Sequence, residues 1–236
     1  MSEIWDKAQQ LESQWWKVKK NEIISQDYRE QIKKRAQRIE SMIDKQLEGI
    51  PGRRVLEIGG GATQLIDFFR EGEKYAVDPL ADMYQAEFSE VLAPGTKWHK
   101  AKAENMPFEN DFFDIIVIRN VLDHVDSVDK AISEMRRVLK NSGILYLGMN
   151  TFSGPYYIYK LIVKDPEHPH TFTPGSIRSC IIRNNLNIVD SIADAKENMV
   201  HFTDRLAVVP KHKAVIRDLL FAMDCFHFSE FLLRKV

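Results

Sequence analysis

Short apolar runs alternate with amphipathic segments through the middle of the chain. The apolar runs contain β-branched or aromatic residues and predict strands at residues 54–58, 74–77, 96–100, 114–118 and 144–147. The segments between them repeat apolar residues at helical spacing and predict helices at residues 62–70, 83–92 and 128–139. Strands and helices in this alternation predict a mostly parallel sheet with right-handed crossovers and helices on both faces.

The two flanks depart from this pattern. Residues 1–50 are rich in charge, with apolar residues at helical spacing, and predict two helices. Residues 151–175 contain several proline turn signals and predict a loop-rich insert. After the insert we predict, in order, a helix at residues 175–184, strands at 187–189 and 206–209 that pair as an antiparallel edge, and a helix from residue 211.

Together these elements predict an α/β fold with a Rossmann-like, doubly wound, mostly parallel seven-stranded sheet and helices on both faces. The predicted organisation is an N-terminal helical cap or lid at residues 1–50, one main domain at 51–210 and a C-terminal helix at 211–236. The insert at 151–175 follows the fifth strand, so we expect it to act as a lid over the ligand end of the sheet.

The most informative stretch is the glycine turn that follows the first predicted strand, Gly59-Gly60-Gly61. Glycines allow a sharp turn and a close approach of the backbone to a ligand. Asp78 ends the next predicted strand, 19 residues after Gly59, a position suited to binding both hydroxyls of a ribose.

Two cofactor classes use such a turn. A dinucleotide fingerprint requires another glycine where this chain has Gln64, and Glu57 would repel a nearby phosphate. The same carboxylate can attract the ammonium group of an amino-acid moiety, directly or through water. The residues therefore favour S-adenosylmethionine, and a nicotinamide-dependent oxidoreductase is a weaker alternative.

Residues 53–150 resemble the class I S-adenosylmethionine-dependent methyltransferases of the small-molecule type. Glu57-Ile58-Gly59-Gly60-Gly61 resembles their first motif, and Val77-Asp78-Pro79 resembles the acidic end of their second strand. Three further stretches match in order, at residues 103–108 with 113–117, 120–125 and 137–143. Thr63 and Lys102 depart from the pattern, at a frequent glycine and a frequent acidic residue.

The resemblance implies S-adenosylmethionine as cofactor, with S-adenosylhomocysteine as product, and a set of cofactor-binding residues. For the methionine part these are Glu57, Gly59, Gly60 and Gly61; for the ribose Asp78 and Pro79; for the adenine Ala103, Glu104, Asn105 and Met106; and Arg119 and Asn120 complete the set.

Candidate catalytic residues are two histidines. His124 lies just past the fourth strand and His170 in the insert, and either imidazole can act as a general base near neutral pH. A packing or hydrogen-bonding role is the competing interpretation of His124. The short loop Asp165-Pro166-Glu167-His168-Pro169-His170 lacks a usual zinc spacing, so we predict no metal site.

Composition narrows the function further. The chain has 33 Lys+Arg against 34 Asp+Glu, a balance that argues against nucleic acid as a partner. Its apolar runs are too short to cross a membrane, and its first residues do not resemble a secretory signal. Two cysteines provide no disulfide framework, which indicates the cytoplasm, and the oligomeric state is predicted as monomer or homodimer.

These observations predict an enzyme that transfers a methyl group to a small-molecule acceptor, most readily an oxygen of a sugar or a biosynthetic intermediate. The alternative is a catalytically silent protein on the same fold that binds the cofactor or a partner. In that alternative Thr63 and Lys102 weaken cofactor binding.

Overall fold

The computed structural model describes residues 3–47, 52–162, 168–192 and 225–236. The predicted strand at 206–209 lies outside these residues, as does the predicted C-terminal helix up to residue 224. Asp165 and Glu167 of the insert also lie outside them.

Among the described residues, seven strands join in one sheet. Their bounds are β1 Arg54–Ile58, β2 Glu73–Val77, β3 Lys97–His99, β4 Phe113–Arg119, β5 Leu139–Phe152, β6 Leu186–Ile192 and β7 Phe226–Lys235. Their spatial order is β3-β2-β1-β4-β5-β7-β6. Neighbours from β3 to β5 are parallel, whereas β7 is antiparallel to both β5 and β6. The prediction of a mostly parallel, seven-stranded α/β sheet is confirmed.

The helices within the described residues are α1 Glu3–Val18, α2 Lys20–Ile23, α3 Gln26–Asp44, α4 Ala81–Glu87, α5 Val128–Val138, α6 Gly154–Ile162 and α7 Pro174–Arg183. A 3-10 helix at Ile66–Phe68 follows the glycine turn. Ser25, Ser127 and Thr173 cap α3, α5 and α7, because each side-chain oxygen accepts a hydrogen bond from a backbone N–H of the first turn. None of the described helices combines the length and apolar character that a membrane span requires.

The central strands are buried on both faces. On one face, helices α5 and α7 pack against apolar side chains that include Leu56 and Ile116. On the other face, α3 packs Ile39 and Ile43 against a second set that includes Val117. Strands covered on both sides carry apolar residues at most positions, which explains why β1 and β4 are recognisable in the sequence as short apolar runs.

The C-terminal helix predicted from residue 211 is wrong at residues 226–235, which form β7. This strand lies between β5 and β6, with seven of its ten residues buried. Because apolar side chains occupy both faces, the two-residue period of a strand is hidden in the sequence. Pairing with β5 and β6 decides the conformation instead.

Other boundaries also differ from prediction, three of them for a reason visible in the structure. The helix expected at 62–70 is reduced to the 3-10 turn, because the N–H of Ile66 donates to the Glu57 carboxylate instead of continuing a helical ladder. Residues 154–162 of the predicted loop form helix α6. The N-terminal cap contains three helices instead of two, because Ser25 starts α3 after the short α2.

A buried acidic residue joins α3 to the sheet. Glu230 of β7 is fully buried, and its Oε2 accepts a hydrogen bond from Arg38 Nη1 of α3 at 3.0 Å. The hydroxyl of Tyr146 on β5 donates to the other carboxylate oxygen. Strand register places Glu230 opposite Gly148, which in turn lies opposite Arg119.

The Glu230→Ala variant is expected to lower the free energy of unfolding by about 3–5 kcal/mol, because it leaves buried cationic groups without their carboxylate. Urea unfolding followed by circular dichroism measures this loss. Glu22→Ala is the control, since its ion pair with Lys19 is exposed and contributes less than about 1 kcal/mol. Equal losses in the two variants would contradict the role given to Glu230.

Candidate cofactor and acceptor site

Three strand ends meet at one edge of the sheet. β1 leads into the glycine turn, β2 into Asp78 and β4 into Asn120. The N–H of Gly59 donates to the carbonyl of Val77 at 2.8 Å, and the N–H of Asn120 donates to the carbonyl of Gly148 at 2.9 Å. Parallel strands bring their carboxyl ends to one edge, so residues far apart in sequence become neighbours here.

The glycine turn is crowded by side chains from elsewhere in the chain. Gly59 and Gly61 have φ angles of 66° and 59°, in the left-handed region that favours glycine. A Cβ atom on Gly59 would lie 2.4 Å from Cγ2 of Val121, and one on Gly61 would lie 2.2 Å from the indole of Trp16. Both positions therefore require glycine for conformation and for space.

Asp78 presents a buried carboxyl group beside this turn. The residue is 6% exposed, and its Oδ1 accepts a hydrogen bond from the N–H of Leu80 at 2.8 Å. Burial, together with a smaller effect of the negative charge of Glu12 on α1, raises the pKa of Asp78 to about 7. Pro79 follows and is half-buried. An acceptor in this position suits hydroxyl donors such as those of a ribose.

Glu57 lies against the glycine turn and is turned into the protein. It is 2% exposed, and its Oε2 accepts a hydrogen bond from the N–H of Ile66 at 3.0 Å. A Cβ on Gly60 would lie 2.7 Å from the carboxylate. Burial raises the pKa of Glu57 to about 8. The contacts of this carboxylate thus hold the turn and the 3-10 helix together.

The predicted adenine loop has a buried part and an exposed part. Ala103 and Met106 are buried, whereas Asn105 is exposed. The Glu104 carboxylate accepts hydrogen bonds from the N–H groups of Asp126 and Ser127, at 2.7 and 3.2 Å. It therefore joins this loop to the start of α5. Lys102, the departure from the family pattern, pairs with Asp126 at 2.6 Å.

Arg119 and Asn120 leave β4 in different directions. The Arg119 guanidinium lies over the ring of Phe228 at 4.5 Å, and burial lowers the pKa of Arg119 to about 10. It therefore belongs to the charged cluster around Glu230. Asn120 has a φ of 52°, and its Oδ1 accepts a hydrogen bond from the N–H of Asn150 at 2.9 Å. This contact fixes the end of β4 against β5.

The structure brings the two predicted catalytic histidines to the loop after β4. The Nε2–H of His170 donates to the carbonyl of Val125 at 2.8 Å. His124 lies beside Asp123, with 3.9 Å between Nε2 and Oδ2, and its ring centroid is 4.5 Å from that of His168. Asp123 and His168 were not among the predicted site residues, although both are next to or near a predicted histidine.

Helix α1 covers the glycine turn from the N-terminal side. Trp16 is buried and packs edge-on against Tyr84 and Phe88, at centroid distances of 5.2 and 6.0 Å. Its Nε1–H donates to Glu12 at 2.8 Å. The N-terminal helical cap predicted at residues 1–50 thus contacts the glycine turn through Trp16. No pattern in the sequence indicates that Glu12 lies near Asp78.

Comparisons with known proteins agree with this geometry. A family model described as a methyltransferase domain matches residues 56–147. Over 105 residues the chain is 38% identical to the ubiquinone/menaquinone biosynthesis C-methyltransferase UbiE of Vibrio vulnificus. The alignment covers 40% of this chain and 40% of UbiE. The chain therefore aligns with about two-fifths of the length of this relative.

Solved structures extend the likeness of fold beyond that segment. YcgJ of Bacillus subtilis superimposes with a TM-score of 0.59 and 18% identity over 83% of this chain and 97% of its own. Geranyl diphosphate C-methyltransferase of Streptomyces coelicolor was solved with Mg²⁺, geranyl diphosphate and S-adenosylhomocysteine. It superimposes with a TM-score of 0.63 and 14% identity over 85% of this chain and 79% of its own. By its matched motifs, its sheet order and these relatives, the segment at residues 56–147 belongs to the class I S-adenosylmethionine-dependent methyltransferases.

Proposed function

We propose that this chain is an S-adenosylmethionine-dependent methyltransferase that methylates a small-molecule acceptor at an oxygen atom, as in a sugar or a biosynthetic intermediate. The observation that carries the proposal is the carboxyl group of Asp78. It is buried beside two left-handed glycines, at the edge where parallel strands end. A carboxylate is costly to bury unless hydrogen-bond donors satisfy it, and a ribose supplies two.

The residues at this edge fit the cofactor in their chemistry. Asp78 would hold the ribose, the backbone at Gly59 and Gly61 the methionine part, and the buried pair Ala103 and Met106 the apolar faces of the adenine. Bound S-adenosylmethionine supplies an electrophilic methyl group, so the protein has to orient the acceptor and remove its proton. Glu57 would act by shaping the turn, because its carboxylate is buried against Gly60.

In this proposal, a histidine at the loop after β4 removes the proton of the acceptor hydroxyl. His124 is a partly exposed imidazole one turn beyond Val121, which contacts Gly59. It thus lies near the place where a methyl group would be presented, and an imidazole can accept a proton near neutral pH. His170 remains a second candidate, with Nδ1 as the accepting atom, because its Nε2 carries the hydrogen donated to Val125.

Titration calorimetry with S-adenosylhomocysteine tests the cofactor assignment. Asp78→Asn is expected to bind at least tenfold more weakly at about pH 8, because an amide replaces a charged acceptor. Wild-type affinity should rise from about pH 6 to about pH 8, as a carboxyl group with a pKa of about 7 loses its proton. The rise should be absent in Asp78→Asn.

Asp82→Asn is the matched control, because Asp82 lies close in sequence but is exposed and pairs with Lys100. We expect wild-type affinity and wild-type pH dependence from this variant. Wild-type affinity in Asp78→Asn would contradict the assignment of Asp78 to the ribose. A wild-type protein that binds neither S-adenosylmethionine nor S-adenosylhomocysteine would contradict the proposed function.

Glu12 on α1 should tune the same titration. Its charge raises the pKa of Asp78, so Glu12→Gln is expected to move the midpoint of the pH dependence down by a few tenths of a unit. The glutamine oxygen can still accept the hydrogen bond from Trp16. Glu22→Gln, which changes an exposed ion pair, should leave the midpoint unchanged. An unchanged midpoint in both variants would show that α1 is not near Asp78 in solution.

A second candidate function is a binding protein that has the same fold and no methyl-transfer activity. The contact between Trp16 and Gly61 favours it, because a ligand that approaches the turn from this side must displace the indole. This candidate predicts that S-adenosylhomocysteine binds weakly or not at all to the wild-type chain, and that Trp16→Ala restores no methyl transfer in an acceptor screen. Methyl transfer to any hydroxyl acceptor would exclude it.

A further inference from the structure

Three side chains with metal-binding atoms converge beside the loop after β4. Asp123, His124 and His168 each direct one ligand atom into the same space, and these atoms all lie within 4.8 Å of one another. All three residues are partly exposed, so an ion and a further ligand can reach them. Two of them come from the loop after β4, and His168 comes from the insert.

The backbone holds this arrangement in place. The N–H of His170 donates to the carbonyl of Asp123 at 3.3 Å, and its ring Nε2–H donates to the carbonyl of Val125 at 2.8 Å. The segment that carries His168 is therefore tied to the loop that carries Asp123 and His124. A turn bond from the N–H of His124 to the carbonyl of Val121, at 2.9 Å, orients that loop in turn.

The donor set has a definite chemical preference. Two imidazole nitrogens and one carboxylate suit first-row divalent ions such as Zn²⁺, whereas Mg²⁺ prefers oxygen ligands. Donors that share one zinc ion at about 2.0–2.2 Å lie roughly 3–4 Å apart. Small rotations of the side chains bring the three atoms from their present separations into that range. Three protein ligands also leave a coordination position open, as in catalytic zinc sites.

We propose that Asp123, His124 and His168 bind one Zn²⁺-like divalent ion whose open position receives the acceptor hydroxyl. The location supports this, because His124 lies one turn beyond Val121, and Val121 contacts Gly59 of the cofactor turn. The inference rests on the proposed function for its catalytic role, whereas ion binding stands by itself. His124 then serves as a metal ligand instead of a general base, and water accepts the proton of the acceptor hydroxyl.

The chemical step balances without any other reagent. A divalent ion lowers the pKa of a bound hydroxyl, which then releases its proton to water. The acceptor oxygen forms a bond to the methyl carbon while the carbon–sulfur bond breaks with its electron pair on sulfur. The products are a methyl ether, a proton and S-adenosylhomocysteine, and the ion is unchanged.

The prediction of no metal site depended on the spacing of residues within the insert alone. The loop at residues 165–170 has no usual zinc spacing by itself. Only the fold brings His168 next to Asp123 and His124, from a segment distant in the chain.

Metal titration tests the inference. The whole chain, without an affinity tag, is first treated with a chelator that is then removed. Calorimetry with ZnCl₂ should show one ion per chain, and added MgCl₂ should not compete. Co²⁺ should give the visible absorption of a site with nitrogen ligands. His168→Ala and the nearly isosteric Asp123→Asn should each weaken Zn²⁺ binding at least tenfold. Thermal unfolding establishes that each variant is folded.

His99→Gln is the control, because His99 packs on Tyr75 and Phe108 away from the cluster and should leave Zn²⁺ binding unchanged. A wild-type chain that binds no Zn²⁺ would overturn the inference. So would equal affinities in His168→Ala, Asp123→Asn and His99→Gln, since the ion would then be bound elsewhere.

Separate titrations with S-adenosylhomocysteine distinguish this inference from the proposed function. His168→Ala should bind S-adenosylhomocysteine as the wild type does, because His168 is not among the cofactor-binding residues. Cofactor binding without Zn²⁺ binding would leave the methyltransferase proposal intact and end the metal proposal. Zn²⁺ binding without cofactor binding would support the ion site and end the methyltransferase proposal. The ion would then have no catalytic role in methyl transfer.

Discussion

The parallel pairing of β1 with β4 is the constraint on which the site depends. Because both strands run in the same direction, the glycine turn after β1 and the loop after β4 must leave the sheet at the same edge. Val121 can then pack directly on Gly59, and this contact leaves no room for a larger residue at Gly59. The glycine turn and the loop after β4, which carries His124, therefore pack together as one unit.

Burial of charge is the second organising feature of this edge. Glu57 and Asp78 both have raised pKa values because they are removed from water, yet they serve different ends. Glu57 is satisfied by the N–H of Ile66 and holds the turn. Asp78 faces α1 and the glycine turn, where a ligand could replace the protein contacts. Two carboxyl groups at the ends of adjacent strands thus differ in their surroundings, and only Glu57 is turned into the protein against the turn.

The sequence was most informative where both local pattern and tertiary packing favour the same structure. β1 and β4 are apolar runs that the helices cover on both sides, and Asp78 directly follows a strand, so the sheet and the position of Asp78 at its edge could be predicted from the residues. β7 could not, because burial of both faces removes the two-residue period and its partners lie far away in the chain. The 3-10 turn at Ile66–Phe68 was hidden for a similar reason, since a side chain on β1 determines it.

The same limit applies to the site. Gly59, Gly61 and His124 carry local signals, because their residue types and their positions after strands are visible in the sequence. The contact of Trp16 with Gly61, the approach of Glu12 to Asp78 and the pairing of His168 with His124 all join segments that are distant in sequence. The outer helices and the insert place these residues, and one sequence contains no pattern that fixes how such segments dock.

The position of β7 between β5 and β6 also sets an order for folding. Among the strands that the structure describes, β6 pairs only with β7, so residues 186–192 join this sheet through residues 226–235, which are synthesised later. Until then β5 is an edge strand with unpaired backbone groups, open to pairing with another chain. During synthesis, the edge of β5 is therefore open to aggregation until β7 pairs with it, and a chaperone that covers β5 would protect the nascent chain.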